Sequence, residues 1–168
     1  MRVVIQRVSR ANVSVEGRIV GQIASGLLLF LGVGQDDNEK DADWLVKKII
    51  QLRIFNDSED KMNLSVQDNG GEILVISQFT LFAAYKKGNR PSFIQSAPPA
   101  TAIPLYEKFL ELLRQQFSGK VECGIFGAAM KVDLLNDGPV TIVMDTKNMD
   151  CYLRQLLSTS GQGPVQDS

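Results

Sequence analysis

Three short segments hold the groups that can do chemistry in this chain: Ser77-Gln78-Phe79-Thr80-Leu81, Lys86-Lys87-Gly88-Asn89-Arg90-Pro91-Ser92-Phe93 and Asn136-Asp137-Gly138-Pro139-Val140-Thr141. The first puts hydroxyls and an amide at the end of an apolar run. Its pattern fits a strand face turning from core to solvent and equally a polar pocket wall. The second gathers three cations with Asn and Ser donors in a Gly/Pro loop, which can neutralise phosphates, although an ordinary exposed basic loop fits the same residues. The third has a turn-former at each of its first four positions, so a plain hairpin is the default. Yet Gly138-Pro139 presents only main chain, and its carbonyls can accept hydrogen bonds where a side chain would collide. The pattern does not distinguish a cis from a trans bond there.

The chain contains no histidine. That excludes Ser-His-Asp and Cys-His arrangements and every zinc site that needs imidazole. An enzyme here has no side-chain base titrating near neutrality. Thr80 as a nucleophile lacks a base to activate it. Cys123 and Cys151 lie too far apart for a CxxC pair and suit a reduced, cytosolic chain. Cys123 alternates with Val121 and Ile125, which predicts a buried structural thiol. Asp36–Asp41 lacks the glycine and distal Glu of a calcium loop, and Gly32-Val33-Gly34 lacks the third glycine of a nucleotide cradle. No metal or cofactor is expected. Lys plus Arg is 18 against 19 Asp plus Glu, so a polyanion has to be met by a local patch. The longest apolar run, Leu27–Leu31, falls far short of the ~20 residues of a membrane helix.

The elements that must position these segments are legible in the periodicity. Residues 2–9, 11–16 and 18–23 read as short strands, and 27–34 as a strand buried on both faces. Ala42, Leu45, Val46, Ile49 and Ile50 recur at helical spacing between Glu39 and Arg53, with acids leading and lysines trailing. A strand is predicted over Glu72–Phe82, a helix from Pro104 to Phe117, and a strand from Val121 through Phe126. Met130–Leu135 and Val140–Asp145 read as the arms flanking the 136–139 turn. A short helix is expected at 150–157, with a disordered end. The sum is one α+β domain over residues 1–148, an antiparallel-rich sheet or barrel carrying two helices, followed by a C-terminal extension over 149–168.

Taken in order and spacing, the opening MRVVIQRV and the motifs SQFTL, KKGNRPSF and NDGPVT resemble the D-aminoacyl-tRNA deacylase family from Met1 to about Thr146. Ser77-Gln78 and NDGPVT match the D-specific members rather than a similar animal family with Pro-Gln at the first site. The resemblance implies a cytoplasmic homodimer with active sites at its interface. Its substrate is tRNA carrying a D-amino acid, or glycine on the wrong tRNA, at the 3′ end. It implies that Gly138-Pro139, cis in the family, enters the partner subunit's pocket as a chirality filter, with Met130 also at the substrate. Ser77, Gln78, Phe79 and Thr80 line that pocket, the Phe79 N–H stabilising the oxyanion. Lys86, Lys87, Asn89 and Arg90 are the expected tRNA contacts. The missing histidines fit this chemistry. An ester to a ribose hydroxyl is already activated, and the neighbouring 2′-hydroxyl can move the proton. Two other readings remain: a binding module for RNA 3′ ends without catalysis, and a small-ester hydrolase using Thr80 or Ser77.

Overall fold

The structure, a computed structural model, describes residues 1–148. Aliphatic residues alternate along the first fifteen positions, and they form a single strand, β1 (Arg2–Val15), where two were predicted. Val3 and Ile5 point into one apolar cluster, and Val8, Ala11 and Val13 into a second. The change of face comes from pairing: against β8 (Met130–Asp145) the register slips between Gln6 and Val8 and again between Val8 and Arg10. The first slip loops extra residues out of β8, where Thr141 is followed in the pairing by Asn136, and the second leaves one extra residue on β1, which turns the β1 residues after it to the other face.

Besides β8, β1 pairs antiparallel with β2 (Arg18–Ile23) and β3 (Gly26–Gly32). β3 sends Leu27, Leu29 and Leu31 to one cluster and Leu28 to the other, the two-sided burial its unbroken apolar run predicts. Beyond β3 the sheet turns parallel, with β6 (Glu72–Ser77) and then β7 (Val121–Cys123). The sheet is therefore mixed. Each parallel step needs a crossover, supplied by α1 (Glu39–Gln51) and α2 (Pro99–Gln116). A hairpin of β4 (Phe55–Asn56) and β5 (Met62–Leu64) comes after α1. Both helices pack on one face, where Leu45, Ile49, Phe109 and Leu113 are fully buried. The sheet curls nearly closed because β2 approaches β6 and β7 at a glycine. A Cβ at Gly21 would stand 3.0 Å from the Cys123 carbonyl and 3.2 Å from Leu74.

α1 starts where the charges predict, with Asn38 accepting from the Lys40 N–H and Asp41 accepting from the Asn38 N–H. α2 starts at Pro99, ahead of the expected Pro104. The two prolines that read as a break sit at the cap and first position, where a missing N–H costs no hydrogen bond. The strand predicted to Phe82 stops at Ser77, and Phe79–Phe82 form a 3-10 turn. Parallel pairing ends at Leu31 and Ser77. Phe82 then turns inward onto two glycines, its ring lying 3.1 Å from where a Gly32 Cβ would be and 2.8 Å from that of Gly34.

The hairpin expected at 136–139 is not formed. β8 runs straight through as one bulged strand, because β1 is long enough to pair with it on both sides of the bulge. Cys123 is half-buried rather than buried, and β7 ends there, short of Phe126. The helix expected at 150–157 and the terminal segment lie outside the described residues. No described helix is long and apolar enough to cross a membrane.

Candidate active site

A cavity of about 640 Å³ opens where the C-terminal ends of β3 and β6 meet the start of α2 and the start of β8. Clefts at the carboxyl ends of parallel strands are recurrent ligand sites. Ser77, Gln78 and Phe79 form one wall, Phe93, Ser96 and Pro98-Pro99 a second, and Phe126, Gly127, Met130 and Val132 a third. No lining side chain is ionisable. The cavity is thus an apolar slot with a few hydroxyl, amide and main-chain groups, the composition of a small-ligand site.

The turn after β6 determines which backbone groups are free. The Gln78 N–H donates to the Leu31 carbonyl at 2.8 Å and continues the ladder. The next two N–H groups, of Phe79 and Thr80, open the 3-10 turn and have no acceptor among the described residues. The Phe79 ring is half-exposed and stacks edge-on against Phe93, centroids 5.0 Å apart. Thr80 Oγ1 accepts from Gln78 Nε2, and no carboxylate or amine donates to it or accepts from it among the described residues. Its hydroxyl is oriented without being activated.

Tyr85–Pro91 hang at the cavity's edge as a loop closed by reciprocal bonds between Ala84 and Ser92, both 2.8 Å. Lys86, Lys87, Asn89 and Arg90 are all exposed on it, and none forms an ion pair within the described residues. Phe93, just past the loop's closure, carries it to the cavity wall.

Gly138 and Pro139 lie elsewhere. Their peptide bond is cis, and neither residue lines the cavity. Met130, grouped with them as a substrate contact, stands in the cavity wall with Ser77–Phe79. Gly138 is eight positions further along β8, roughly 25 Å of strand. Both residues are exposed, at the outer edge of the bulge. Asn136 braces the bulge from within, accepting from the Val140 N–H at 3.1 Å and donating to Thr141 Oγ1 at 3.2 Å. Arg7 braces it from below. Its buried guanidinium donates to the Ile54 carbonyl at 2.7 Å and the Asp137 carbonyl at 3.2 Å, and lies 3.3 Å from the Asp137 carboxylate. Gly138 has φ +118°, and a Cβ there would fall 2.7 Å from Arg7 Nη2, so only glycine fits.

The structure therefore joins Ser77, Gln78, Phe79 and Met130 at one cavity and leaves Thr80 and Gly138-Pro139 outside its lining. Arg7 was not expected at the site from sequence, and its one signal was a charged residue among the inward aliphatics of β1. Phe93, Ser96, Pro98, Pro99 and Phe126 were not expected either, because only the α2 crossover brings them to the cavity. Tyr106, packed on Phe126 at 5.5 Å, donates to the Val75 carbonyl at 3.2 Å, and burial pushes its phenol above the ordinary value. It is neutral and structural. The described residues hold no cluster of three or more His, Cys, Asp or Glu that can bind a metal ion.

Comparison with known proteins places the chain in a family. The family model described as D-Tyr-tRNA(Tyr) deacylase matches residues 4–145. A protein of Flavobacterium johnsoniae named D-aminoacyl-tRNA deacylase is 58% identical over 150 residues, 89% of this chain and 100% of that protein. One of the same name from Thermosipho melanesiensis is 54% identical over 149 residues, 89% of this chain and 99% of that protein. Among solved structures, the c-Myc DNA unwinding element binding protein superposes with TM-score 0.82 at 41% identity, covering 86% of this chain and 98% of its own. A probable eukaryotic D-amino acid tRNA deacylase superposes at 0.74 with 18% identity over the same shares, a likeness of fold alone. With a match that spans β1 through the end of β8, and relatives covered end to end, the chain belongs to the D-Tyr-tRNA(Tyr) deacylase family, hydrolases that act on aminoacyl-tRNA.

Proposed function

We propose that this protein hydrolyses the ester joining a D-amino acid to the terminal adenosine of tRNA, and the corresponding glycyl ester, in the cytoplasm and as a homodimer. One observation carries the reading: the cavity has no ionisable lining, and Phe79 in its wall has an N–H left unpaired among the described residues, with that of Thr80, just outside the lining, unpaired beside it. Such a site can orient an ester and stabilise an oxyanion. It cannot supply a general base, so the proton moves through the substrate's own 2′-hydroxyl. The exposed Lys86, Lys87, Asn89 and Arg90 at the rim fit a phosphate backbone entering alongside.

Selection of handedness results if the Gly138 and Pro139 carbonyls of the partner hold the substrate's amino group while the Phe79 N–H holds its ester. Three directions at the α-carbon are then fixed. The D-side chain points outward, and the L-side chain runs into main chain. Exclusion of this kind places no demand on the D-side chain and accepts glycine. Comparing D-Tyr-tRNA with L-Tyr-tRNA, with and without protein, tests the reading. Protein-dependent release of D-tyrosine only is expected, with D-Phe and D-Asp esters hydrolysed at similar rates. Equal turnover of L-Tyr-tRNA removes the filter. Binding with no rise in hydrolysis makes the chain an RNA-end binder. Ready cleavage of free amino-acid esters makes it a general esterase.

Thr80 gives a second test. Thr80→Ala is expected to keep at least about a tenth of the wild-type rate, whereas substrate whose terminal adenosine lacks the 2′-hydroxyl is expected to be inert. A folded but dead Thr80→Ala restores a covalent mechanism.

A further inference from the structure

The Phe79–Phe82 turn presents the two free N–H groups, so whatever holds it determines where they point. Its entry is fixed by the Gln78 N–H on the Leu31 carbonyl, and its far side by the Phe82 ring seated over Gly32 and Gly34. Between these anchors, one side chain among the described residues donates to a carbonyl of the turn. Arg2 Nη1 reaches the Leu81 carbonyl at 3.1 Å. The same guanidinium lies over the Phe82 ring, 4.5 Å from its centroid, and its Nε donates to Asp145 Oδ2 at 2.8 Å. Arg2 and Asp145 face each other across the β1–β8 ladder. One planar group thus ties the turn, by a carbonyl bond and a ring contact, to the far end of that ladder. Lysine has a single point charge and cannot reproduce the fork, the stack and the carbonyl bond at once.

We propose that Arg2 is a positioning residue for the reaction: held by Asp145, it locks the 3-10 turn so that the Phe79 N–H faces the reacting carbonyl. It does not line the cavity, so its expected effect falls on the turn and not on the ester's surroundings. The inference rests on the backbone-donor reading of the site.

Its test is steady-state and single-turnover deacylation of D-Tyr-tRNA by wild type, Arg2→Ala, Arg2→Lys and Asp145→Asn, with hydrogen exchange read by peptide. Arg2→Ala is expected to lower kcat roughly 10- to 50-fold with KM changed less than about twofold. Exchange is expected to quicken in peptides covering 78–84 and to stay at wild-type rates in α1 and β3. Asp145→Asn, which leaves the guanidinium in place but unheld, is expected to lose roughly 3- to 10-fold in kcat, and Arg2→Lys to recover part of the Arg2→Ala loss. If Arg2→Ala does not fold, Asp145→Asn and Arg2→Lys decide. Unchanged kcat in these variants, a defect confined to KM, or exchange that quickens evenly through the protein each overturns the proposal. An inactive wild type overturns instead the reading on which it rests, so the two failures are told apart.

Discussion

Phe79→Pro is expected to lower kcat on D-Tyr-tRNA by roughly 10²- to 10³-fold, while Phe79→Ala, measured beside it, loses less than about tenfold. Both variants delete the ring and its edge-on contact with Phe93. Only proline deletes the N–H. Position 79 is the first of a 3-10 turn, where proline's fixed φ is tolerated and no backbone bond is lost. Gln78 has φ −143° and ψ 80°, outside the α region that a following proline disfavours, so a modest rise in ψ accommodates the ring. The gap between the two variants therefore measures the donor itself, and a single oxyanion donor contributes about 3–4 kcal/mol in comparable sites. Equal rates for the two place the oxyanion elsewhere.

Two inactive variants are expected to restore each other when mixed as unfolded chains and refolded together. Gly138→Ala forces a side chain into the positive-φ position 2.7 Å from Arg7 Nη2, so it displaces the main-chain tip and is expected to lose at least about 100-fold. Phe79→Pro keeps the tip and loses the donor. If tip and cavity come from different subunits, a mixed dimer has one site with both defects and one with neither. Random pairing in a twofold dimer makes half the dimers mixed, and roughly a quarter of wild-type activity returns. A monomer with both parts in one chain recovers nothing. Because Gly138 stands roughly 25 Å of strand from Met130 in the cavity wall, recovery is the expected result. Light scattering on the wild type gives the dimer independently.

Why the site divides between chemistry legible in the sequence and geometry that was not is visible at particular residues. Of the four motif residues the resemblance names, Ser77, Gln78 and Phe79 line the cavity and Thr80 does not, and the basic loop joins the wall through Phe93. α1 stands where its stripe, its leading acids and the Asn38 cap put it, because those signals are local and act within one turn. The strand predicted to run on to Phe82 failed because alternation cannot report where a partner strand ends. β6 stops where its pairing with β3 does, and Phe82 is then free to fold back onto Gly32 and Gly34. The hairpin at 136–139 failed for the complementary reason. Asn, Asp, Gly and Pro do break regular pairing, but the 14 residues of β1 hold both flanks in line, and the breakers become a bulge with its main chain outward.

The sequence by itself determined which catalytic groups are present, and its resemblance to the deacylase family gave the reaction class to be sought. With no histidine it excluded imidazole catalysis, and its glycine-proline tip and polar motif pointed to main-chain groups as the working parts. Residue types report which protons and charges exist, whatever the fold. Only the tertiary structure decided which main-chain groups stay unpaired, since a backbone N–H is free or satisfied according to strand register and turn closure. It likewise set the tip apart from the cavity of its own chain, because separation depends on how far a strand runs before it bends. Packing between segments remote in sequence sets both quantities, and residue types along the chain do not encode them locally.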